Sequence, residues 1–387
     1  MVRVLALFVL LYSLWQTLLI LRMWRYLRMA RSRPVSAYTP RAVVIVPCRE
    51  AHPDLEVRMR ALLEQDYPYH RVIFATGSPA DSAWSVLERL VSQHPEATLV
   101  TSGTPTGCSQ KVYNALRALQ EASDAEVYVF ADSDADYPPY WLGYLVSPLN
   151  RSGVGATTGC FWWDASGGSL WARALAWGFN TQVVPFFAGE RLAFVWGGSM
   201  AIRASTFQEA GIAAIWQNVA YDDLTLAAAI SRRGLRIPFV PQALVTVPVP
   251  DGRLHWCFNW LKREMVAGKI YTPRMYWPGL LLTLPALLMV ISPLLLLAAP
   301  LLPRLAVPAF LLLSLLPIRM VAGALFCLVV GRPETARYAP LDYLGILVGL
   351  AAIYASIFSN RFTWAGLTYE LPSPRETRVL GAAVDQC

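Results

Sequence analysis

Long apolar segments lie near the two ends of the chain, whereas the middle alternates between apolar and polar positions. The apolar segments are residues 4–20, 278–300, 305–330 and 341–358. Each approaches the ~20 residues that a helix needs to cross the hydrocarbon core of a bilayer. The pattern predicts an N-terminal membrane anchor at residues 1–24 and C-terminal membrane helices within residues 278–360.

The middle of the chain is typical of alternating strands and helices. Short runs rich in β-branched residues predict strands at 42–47, 72–76, 98–101 and 126–131. Helical spacing separates them at 55–64, 81–92 and 109–122. Such alternation predicts an α/β fold with a mostly parallel sheet and helices on both faces. We expect this domain at residues 40–252, an interfacial segment at 253–277 and a tail at 361–387.

Arginines are concentrated directly after the first apolar segment, at Arg22, Arg25, Arg28, Arg31, Arg33 and Arg41. Basic residues beside a membrane segment mark its cytoplasmic side and can bind anionic lipid headgroups. We expect a multi-pass protein of the bacterial inner membrane, with the middle domain and the tail in the cytoplasm. Three later crossings would put the basic tail outside, so segment 341–358 is expected to lie in the interface, and the number of crossings stays open.

Charge and cysteine content argue against several classes of function. The net charge of +7 comes without the interleaved aromatic and basic residues of an RNA-binding module, so no nucleic-acid partner is expected. The six cysteines are scattered and form no CxxC pair, which disfavours a disulfide framework or a zinc site. No glycine-rich nucleotide fingerprint follows the first strand, which disfavours a dehydrogenase or an NTPase.

Three aspartates alternate directly after a predicted strand, within FADSDADYP. Carboxylates as close as Asp132, Asp134 and Asp136 repel one another unless a cation separates their charges. Mg²⁺ and Mn²⁺ prefer oxygen ligands and can also bind a diphosphate. The alternative is a solvated, Asp-rich turn. Because ligands bind beyond the carboxyl ends of parallel strands, the metal site is favoured, and which two acids bind stays open.

A second acidic pair opens a predicted helix in YDDLTLAAAISRRG. Asp222 and Asp223 can cap that helix and interact favourably with its dipole. One of them can also serve as the general base that deprotonates an acceptor hydroxyl. Both interpretations hold together if Asp222 is the cap and Asp223 is the base.

The strand ends predict a crevice in which a nucleotide can lie. Pro47, Glu50 and Asp81 follow the first two predicted strands, and Lys111 opens the third predicted helix near the same edge. The lysine contacts either a phosphate or solvent.

Two later segments are candidates for the same chemistry. The glycines of Trp196-Gly197-Gly198 either let the backbone approach a ligand closely or form a tight turn. Segment 255–274 mixes aromatic residues with cations directly before a membrane segment, as in an interfacial amphipathic helix. Its cations can additionally neutralise a leaving diphosphate, and the candidates are Lys262, Arg263 and Lys269.

The motifs together resemble inverting family 2 glycosyltransferases, particularly the ceramide glucosyltransferase-like branch. They are, in chain order, AVVIVPCRE, SQKVYNAL, FADSDADYP, VWGGSMAIR, YDDLTLAAAISRRGLRI and the tail motif Trp364-x-Gly366-x-x-Tyr369. The resemblance implies a GT-A nucleotide-diphosphosugar transferase fold and a UDP-sugar donor. It also implies Mn²⁺ or Mg²⁺ on Asp132 and Asp134, Asp223 as the base, and a hexosyl group transferred to a membrane lipid such as ceramide.

Two departures from the family pattern keep rival functions open. The acid that often follows the second strand is absent from FATGSPADSA unless Asp81 replaces it, and the Gln-x-x-Arg-Trp motif is not present in strict form. The second departure argues against the first rival, a processive polysaccharide synthase. The first departure favours the other rival, a membrane-bound binding protein with a degenerate, non-catalytic domain.

Overall fold

A computed structural model describes residues 2–33, 36–192, 194–250 and 252–382. The chain divides into two compact units. The first, which we call the sheet unit, contains residues 30–162, 189–248 and the chain from 360 onward. The second, the helical unit, contains the chain up to residue 29 together with 163–188 and 249–359. Residues 163–188 therefore belong with the helical unit, although they fall inside the predicted 40–252 domain.

The elements alternate as the sequence pattern predicts. The strands are β1 (Ala42–Pro47), β2 (His70–Thr76), β3 (Ala97–Thr101), β4 (Val127–Ala131), β5 (Ala156–Asp164), β6 (Ser199–Arg203), β7 (Phe239–Pro248), β8 (Arg361–Trp364), β9 (Leu367–Ser373) and β10 (Glu376–Ala382). The α-helices are α1 (Val2–Arg31), α2 (Leu55–Leu63), α3 (Trp84–Gln93), α4 (Gln110–Gln120), α5 (Trp141–Val146), α6 (Leu170–Gln182), α7 (Ala204–Glu209), α8 (Ile212–Trp216), α9 (Asp222–Arg232), α10 (Leu254–Tyr271), α11 (Pro273–Leu281), α12 (Leu284–Ala298), α13 (Ala306–Leu313), α14 (Leu315–Val330) and α15 (Asp342–Ile357).

A seven-stranded sheet in the order β3-β2-β1-β4-β6-β5-β7 forms the core of the sheet unit. The first four strands of that order are parallel, and β6 runs antiparallel to both β4 and β5. Central strand β1 places Val44 opposite Val72 and Val129, all fully buried, because a strand covered on both faces is apolar throughout. The predicted α/β architecture is confirmed, and the loops after β1, β2 and β4 leave the sheet at one edge.

The C-terminal tail forms a three-stranded antiparallel sheet that the sequence analysis did not predict. Strands β8 and β9 are joined at Ala365 and Gly366, both of which have positive φ values of 49° and 71°. Two consecutive residues of this kind are typical of the tight hairpin turns that match the twist of antiparallel strands. A Cβ on Gly366 would lie 3.5 Å from Nη2 of Arg49, so the turn lies beside the loop that follows β1.

In the described part of the chain, four helical stretches are long and apolar enough to cross a membrane, judged by length and composition. They are Val2–Arg31, Pro273–Ala298, Pro303–Val330 and Pro333–Ile357. The first is longer than the predicted anchor because its basic end continues as helix. The last is longer than segment 341–358 because 3₁₀ turns at Pro333–Leu341 precede α15.

One buried ion pair holds three helices of the helical unit together. Nε of Arg319, on α14, donates to both carboxylate oxygens of Asp342 at 3.0 and 2.8 Å. Nε1 of Trp177, on α6, donates to the same carboxylate at 2.7 Å. Asp342 is fully buried, so the pairing offsets the cost of removing its charge from water.

Candidate active site

The loops at the carboxyl edge of the sheet bring an ammonium group between two carboxylates. Asp132 follows β4 directly, Lys111 lies in the first turn of α4, and Asp222 is the first residue of α9. Nζ of Lys111 lies 2.7 Å from Oδ1 of Asp132 and 3.6 Å from Oδ2 of Asp222. Three segments that are far apart in the sequence therefore form one charged cluster, which we call the acidic cluster and which also includes Asp134 and Asp223.

The acidic cluster contains more negative than positive charge. Exposed fractions of the side chains are 19% for Lys111, 21% for Asp132 and 4% for Asp222. Burial lowers the pKa of the Lys111 ammonium, but the surrounding carboxylates, Asp132 first, raise it by more, so it stays above its usual value. One ammonium stands against four carboxylates, and the remaining negative charge favours a further cation.

The aspartate triplet divides into two different environments. Burial and then the negative charge of Asp132 raise the pKa of Asp134 to about 6. Asp136 instead accepts a hydrogen bond of 2.8 Å from Nε of the buried Arg58, and its backbone N–H donates to the Thr246 carbonyl. The structure thus separates Asp136, which is paired with Arg58, from Asp132, which faces Lys111, and from Asp134, whose pKa the charge of Asp132 helps to raise.

The glycine motif packs directly against the acidic cluster. A Cβ on Gly197 would lie 2.9 Å from Oδ2 of Asp222, and one on Gly198 would lie 2.5 Å from Oδ2 of Asp132. Cβ atoms essentially never approach other atoms so closely, so a larger residue would force the carboxylates to move. The same Cβ on Gly198 would lie 2.3 Å from Cζ2 of the Trp196 ring. Close approach of the backbone to the acids, rather than a turn alone, therefore accounts for the glycines.

Tyr137 joins the aspartate loop to the glycine motif. Its hydroxyl accepts a hydrogen bond of 2.8 Å from the Asp132 N–H. The phenolic proton can then be donated to the carbonyl oxygen of Gly198, at 2.8 Å, or to that of Asp132, at 3.0 Å. Sequence reasoning treated Tyr137 only as part of a turn, although a tyrosine directly after alternating aspartates is a visible signal.

In the second acidic pair, the contacts of Asp222 differ from those that the sequence predicts. Helix α9 begins at Asp222, and its N-cap is Tyr221, so the prediction that Asp222 caps the helix is wrong. The Asp222 carboxylate instead lies 3.6 Å from Nζ of Lys111, whose positive charge offsets part of its own. Asp223 accepts hydrogen bonds from the N–H groups of Gly197, at 3.2 Å, and Leu224, at 2.6 Å. Those bonds fix the orientation of its carboxylate.

Asp81, which the sequence predicts near a nucleotide, organises the loop that follows β1. Its Oδ1 accepts hydrogen bonds of 2.9 Å from the N–H groups of Glu50 and Ala83. Glu50 has a φ of 59°, a backbone conformation that is uncommon for residues other than glycine, and the bond from Asp81 helps to hold it. Pro47 ends β1 at the same edge. Helix α3 begins at Trp84 with Ala83 as its N-cap, so Asp81 lies before the helix instead of opening it.

Several site-organising residues were missed by sequence reasoning. Nδ2 of Asn114 donates to the carbonyl oxygen of Cys48, which follows β1, and to that of Ala75, the last residue but one of β2. The hydroxyl of Tyr369, on β9, accepts from the N–H of Gln110, which precedes Lys111. Only the tail motif hinted at Tyr369, because nothing in the local pattern links it to a segment 259 residues away.

The predicted cations of α10 lie in the helical unit. Nζ of Lys269 donates to three carbonyl oxygens at the end of α15, those of Ser356, Ile357 and Ser359, at 2.7–3.2 Å. All three ammonium donors are thereby used, so the prediction that Lys269 binds a diphosphate is replaced by a helix-terminating role. Arg263 pairs with Glu264 at 2.8 Å, and Lys262 lies on the same helix.

The fold of this chain is of the GT-A type, and comparison with solved structures supports this fold class. The mannosyltransferase PcManGT from Pyrobaculum calidifontis, solved in complex with GDP-Man and Mn²⁺, has a similar structure with a TM-score of 0.53 and 19% identity. The similarity covers 92% of this chain and 99% of that chain, and it confirms the GT-A fold. GalNAc-T7, solved with UDP, GalNAc and Mn²⁺, matches with a TM-score of 0.43 and 14% identity over 61% of this chain and 48% of that chain.

The family follows from sequence. The model of Glycosyl transferase family 21 matches residues 1–376, so the chain belongs to that family, and the resemblance to the ceramide glucosyltransferase-like branch is confirmed. No curated protein matches the chain in sequence. The protein is a glycosyltransferase and transfers a sugar.

Proposed function

We propose that this glycosyltransferase moves a hexosyl group from a UDP-sugar to a membrane lipid such as ceramide, with inversion and with a divalent metal ion. The observation that carries the proposal is the acidic cluster, in which Lys111 balances only part of the charge of Asp132, Asp134, Asp222 and Asp223. A cluster of this kind at the carboxyl edge of a parallel sheet is suited to a cationic metal and its diphosphate.

Asp132 and Asp134 fit the requirements of Mg²⁺ or Mn²⁺. Among the described residues no group of three or more His, Cys, Asp and Glu side chains is arranged to hold a metal ion. Proteins commonly bind Mg²⁺ through one or two carboxylates, with substrate phosphates as further ligands. Burial and then the negative charge of Asp132 raise the pKa of Asp134, and a neighbouring cation would relieve the second of these effects. When bound, the ion would neutralise charge on the departing diphosphate.

The remaining residues account for a single displacement. Asp223 is proposed to accept the proton of the acceptor hydroxyl as that oxygen forms a bond to the anomeric carbon. The bond from this carbon to the diphosphate breaks on the opposite face, and the leaving nucleoside diphosphate keeps the electron pair. Lys111 lies where its ammonium can stabilise that developing charge, while Gly197 holds the base in place through its N–H.

The lipid acceptor and the location are proposed from the apolar helices. Four stretches suited to crossing a membrane accompany the site-bearing unit in the same chain. The arginines after the first stretch favour a cytoplasmic site in a bacterial inner membrane. The complex of PcManGT with GDP-Man and Mn²⁺ supports a donor of this chemical class.

The proposal is tested by incubating membranes that contain the protein with a panel of labelled UDP-sugars and GDP-Man. We expect one UDP-sugar to label an extractable lipid, identified by mass spectrometry, and a chelator to stop the labelling until Mn²⁺ or Mg²⁺ is restored. The Asp223→Asn variant serves as the inactive control, and Asp66→Asn, at an exposed position, is its matched control. Label in a long polymer would favour the processive synthase, and donor binding without transfer would favour the non-catalytic rival.

A further inference from the structure

The helical unit contains a pocket of about 230 Å³ with a predominantly apolar lining. Its walls come from α6, α10 and α15, together with the start of α12 and one residue of α14. The cavity exceeds the ~150 Å³ of an engineered apolar cavity that stays dry and binds benzene. Apolar space of this size therefore favours a hydrocarbon over water.

We propose that this pocket binds a hydrocarbon chain of the lipid acceptor. The inference rests on the proposed function and adds a binding site for the acceptor to it. The aromatic and aliphatic side chains of the walls, such as Trp171, Leu175, Phe179, Leu261 and Met265, suit an alkyl chain.

Two glycines keep the pocket open. Gly178 on α6 and Gly349 on α15 both line it, and a Cβ built on either would meet no atom within 4 Å. The neighbouring Gly345 differs, because its Cβ would lie 2.9 Å from the carbonyl oxygen of Ala174 and its size is needed for helix packing. Packing therefore explains Gly345 but not the other two, whose missing side chains leave room for a ligand.

The walls are fixed before any ligand binds. Trp177, Arg319 and Asp342 join α6, α14 and α15 by hydrogen bonds, and the Arg319 side chain itself contributes to the lining. A pocket that is largely preformed binds its ligand at a lower conformational cost. Rigid walls are more useful for selecting a substrate chain than for accommodating bulk lipid.

Chain connectivity favours the acceptor over bulk lipid as the occupant. Helix α6 is inserted between strands β5 and β6, and α10 follows β7 after five residues. The two helices that form much of the pocket are thus covalent extensions of the strands that carry the sheet unit. A hydrocarbon chain in this pocket would therefore contact the two helices that the chain joins directly to strands of the sheet.

Photo-crosslinking tests the proposal without requiring sugar transfer. Purified protein in phosphatidylcholine nanodiscs is irradiated with a ceramide that carries a diazirine in its acyl chain, and the labelled peptides are mapped by mass spectrometry. We expect labelling of α6 and α15 in the wild type. In Gly349→Leu and Gly178→Leu the labelling should be at least about tenfold weaker, because the new side chains fill the pocket. Gly279→Leu, on α11 and outside the lining, is the matched control and should label as the wild type does.

The competing ligand identifies the occupant. Unlabelled ceramide should suppress the labelling, whereas an equal addition of phosphatidylcholine should not. Equal labelling in all variants, or equal suppression by both lipids, would overturn the proposal. Thermal unfolding midpoints exclude misfolding, and two independent pocket variants are available if one fails to fold. If the wild type transfers sugar but is not labelled in α6 and α15, the pocket alone is rejected. If the wild type is labelled there but transfers no sugar, the proposed reaction alone is rejected.

Discussion

The two units of this protein treat buried charge in opposite ways. In the helical unit, Arg319 and Asp342 form a one-to-one pair, and Trp177 satisfies a further lone pair of the carboxylate. In the sheet unit, the single ammonium of Lys111 faces several carboxylates. In a balanced pair each charge compensates the other, whereas an unbalanced cluster keeps an excess of negative charge that a cationic ligand can neutralise.

Charged groups that stabilise the fold can thus be distinguished from charged groups that bind a ligand. The Arg319–Asp342 pair is buried and the acidic cluster is partly buried, both join distant segments, and the contacts of neither are evident from local sequence. They differ in net charge. One guanidinium faces one carboxylate in the Arg319–Asp342 pair, and one ammonium faces several carboxylates in the acidic cluster. The predictions below break each feature in turn, and the expected effects fall mainly on stability in one unit and on activity in the other.

The largest effect on activity is expected at Asp223. Asp223→Asn keeps an acceptor for the Gly197 N–H but cannot take a proton, so kcat should fall by about 10²–10⁴-fold. The measurement is turnover of the labelled donor, with donor affinity followed in parallel by calorimetry. Substantial retained turnover at unchanged donor affinity would show that another group is the base.

Breaking the balanced pair should affect stability most. Arg319→Met leaves the Asp342 carboxylate buried without its cation, which should cost about 3–5 kcal/mol of stability and lower the thermal midpoint in detergent. The double variant Arg319→Met with Asp342→Asn should recover much of that loss, since no uncompensated charge remains. No recovery in the double variant would mean that the pair does more than compensate charge.

Removing one carboxylate from the unbalanced cluster should weaken metal stimulation. Asp134→Asn should raise the Mn²⁺ concentration needed for half-maximal activity by at least about 10–100-fold, the loss typical of residues that support a metal site. Asp136→Asn is the matched control, because that carboxylate is already paired with Arg58. An unchanged Mn²⁺ response in Asp134→Asn would remove this residue from the metal site.

A smaller effect on activity is expected from crowding the cluster. Gly197→Ala would bring a Cβ to 2.9 Å from Oδ2 of Asp222 and 3.0 Å from Nζ of Lys111, and the displaced charges should lower kcat by roughly tenfold, or about 1.4 kcal/mol. Gly143→Ala, where no atom lies within 4 Å, should change nothing. Equal activity of both variants would contradict the assignment of the glycine motif to the site.

The smallest effect is expected at the C-terminal sheet. Tyr369→Phe removes the acceptor for the Gln110 N–H and should cost about 1 kcal/mol. Because Gln110 precedes Lys111, the variant should also change kcat slightly. Parallel melting curves and rates measure the two effects, and a change in neither would limit the sheet to packing.

Much of the fold could be predicted because its signals are local. Apolar runs of membrane length, β-branched strands and helical spacing depend on neighbouring residues, and β1 was predicted with its observed bounds, Ala42–Pro47. The site was predicted less completely. Asp132, Asp134, Asp223 and the glycine motif were named from their sequence, whereas Asn114 and Tyr137 were not, because their hydrogen-bonding partners lie on other segments.

The sequence by itself determined the alternating strands and helices of residues 42–131, the segments long and apolar enough to cross a membrane and the acids that follow the sheet edge. Only the tertiary structure decided that Lys111 stands between Asp132 and Asp222, that Asp136 belongs to Arg58 and that Lys269 ends a helix. The physical reason is that the role of a charged side chain depends on the groups that surround it. Those surroundings are built from residues that the chain brings together only when it folds.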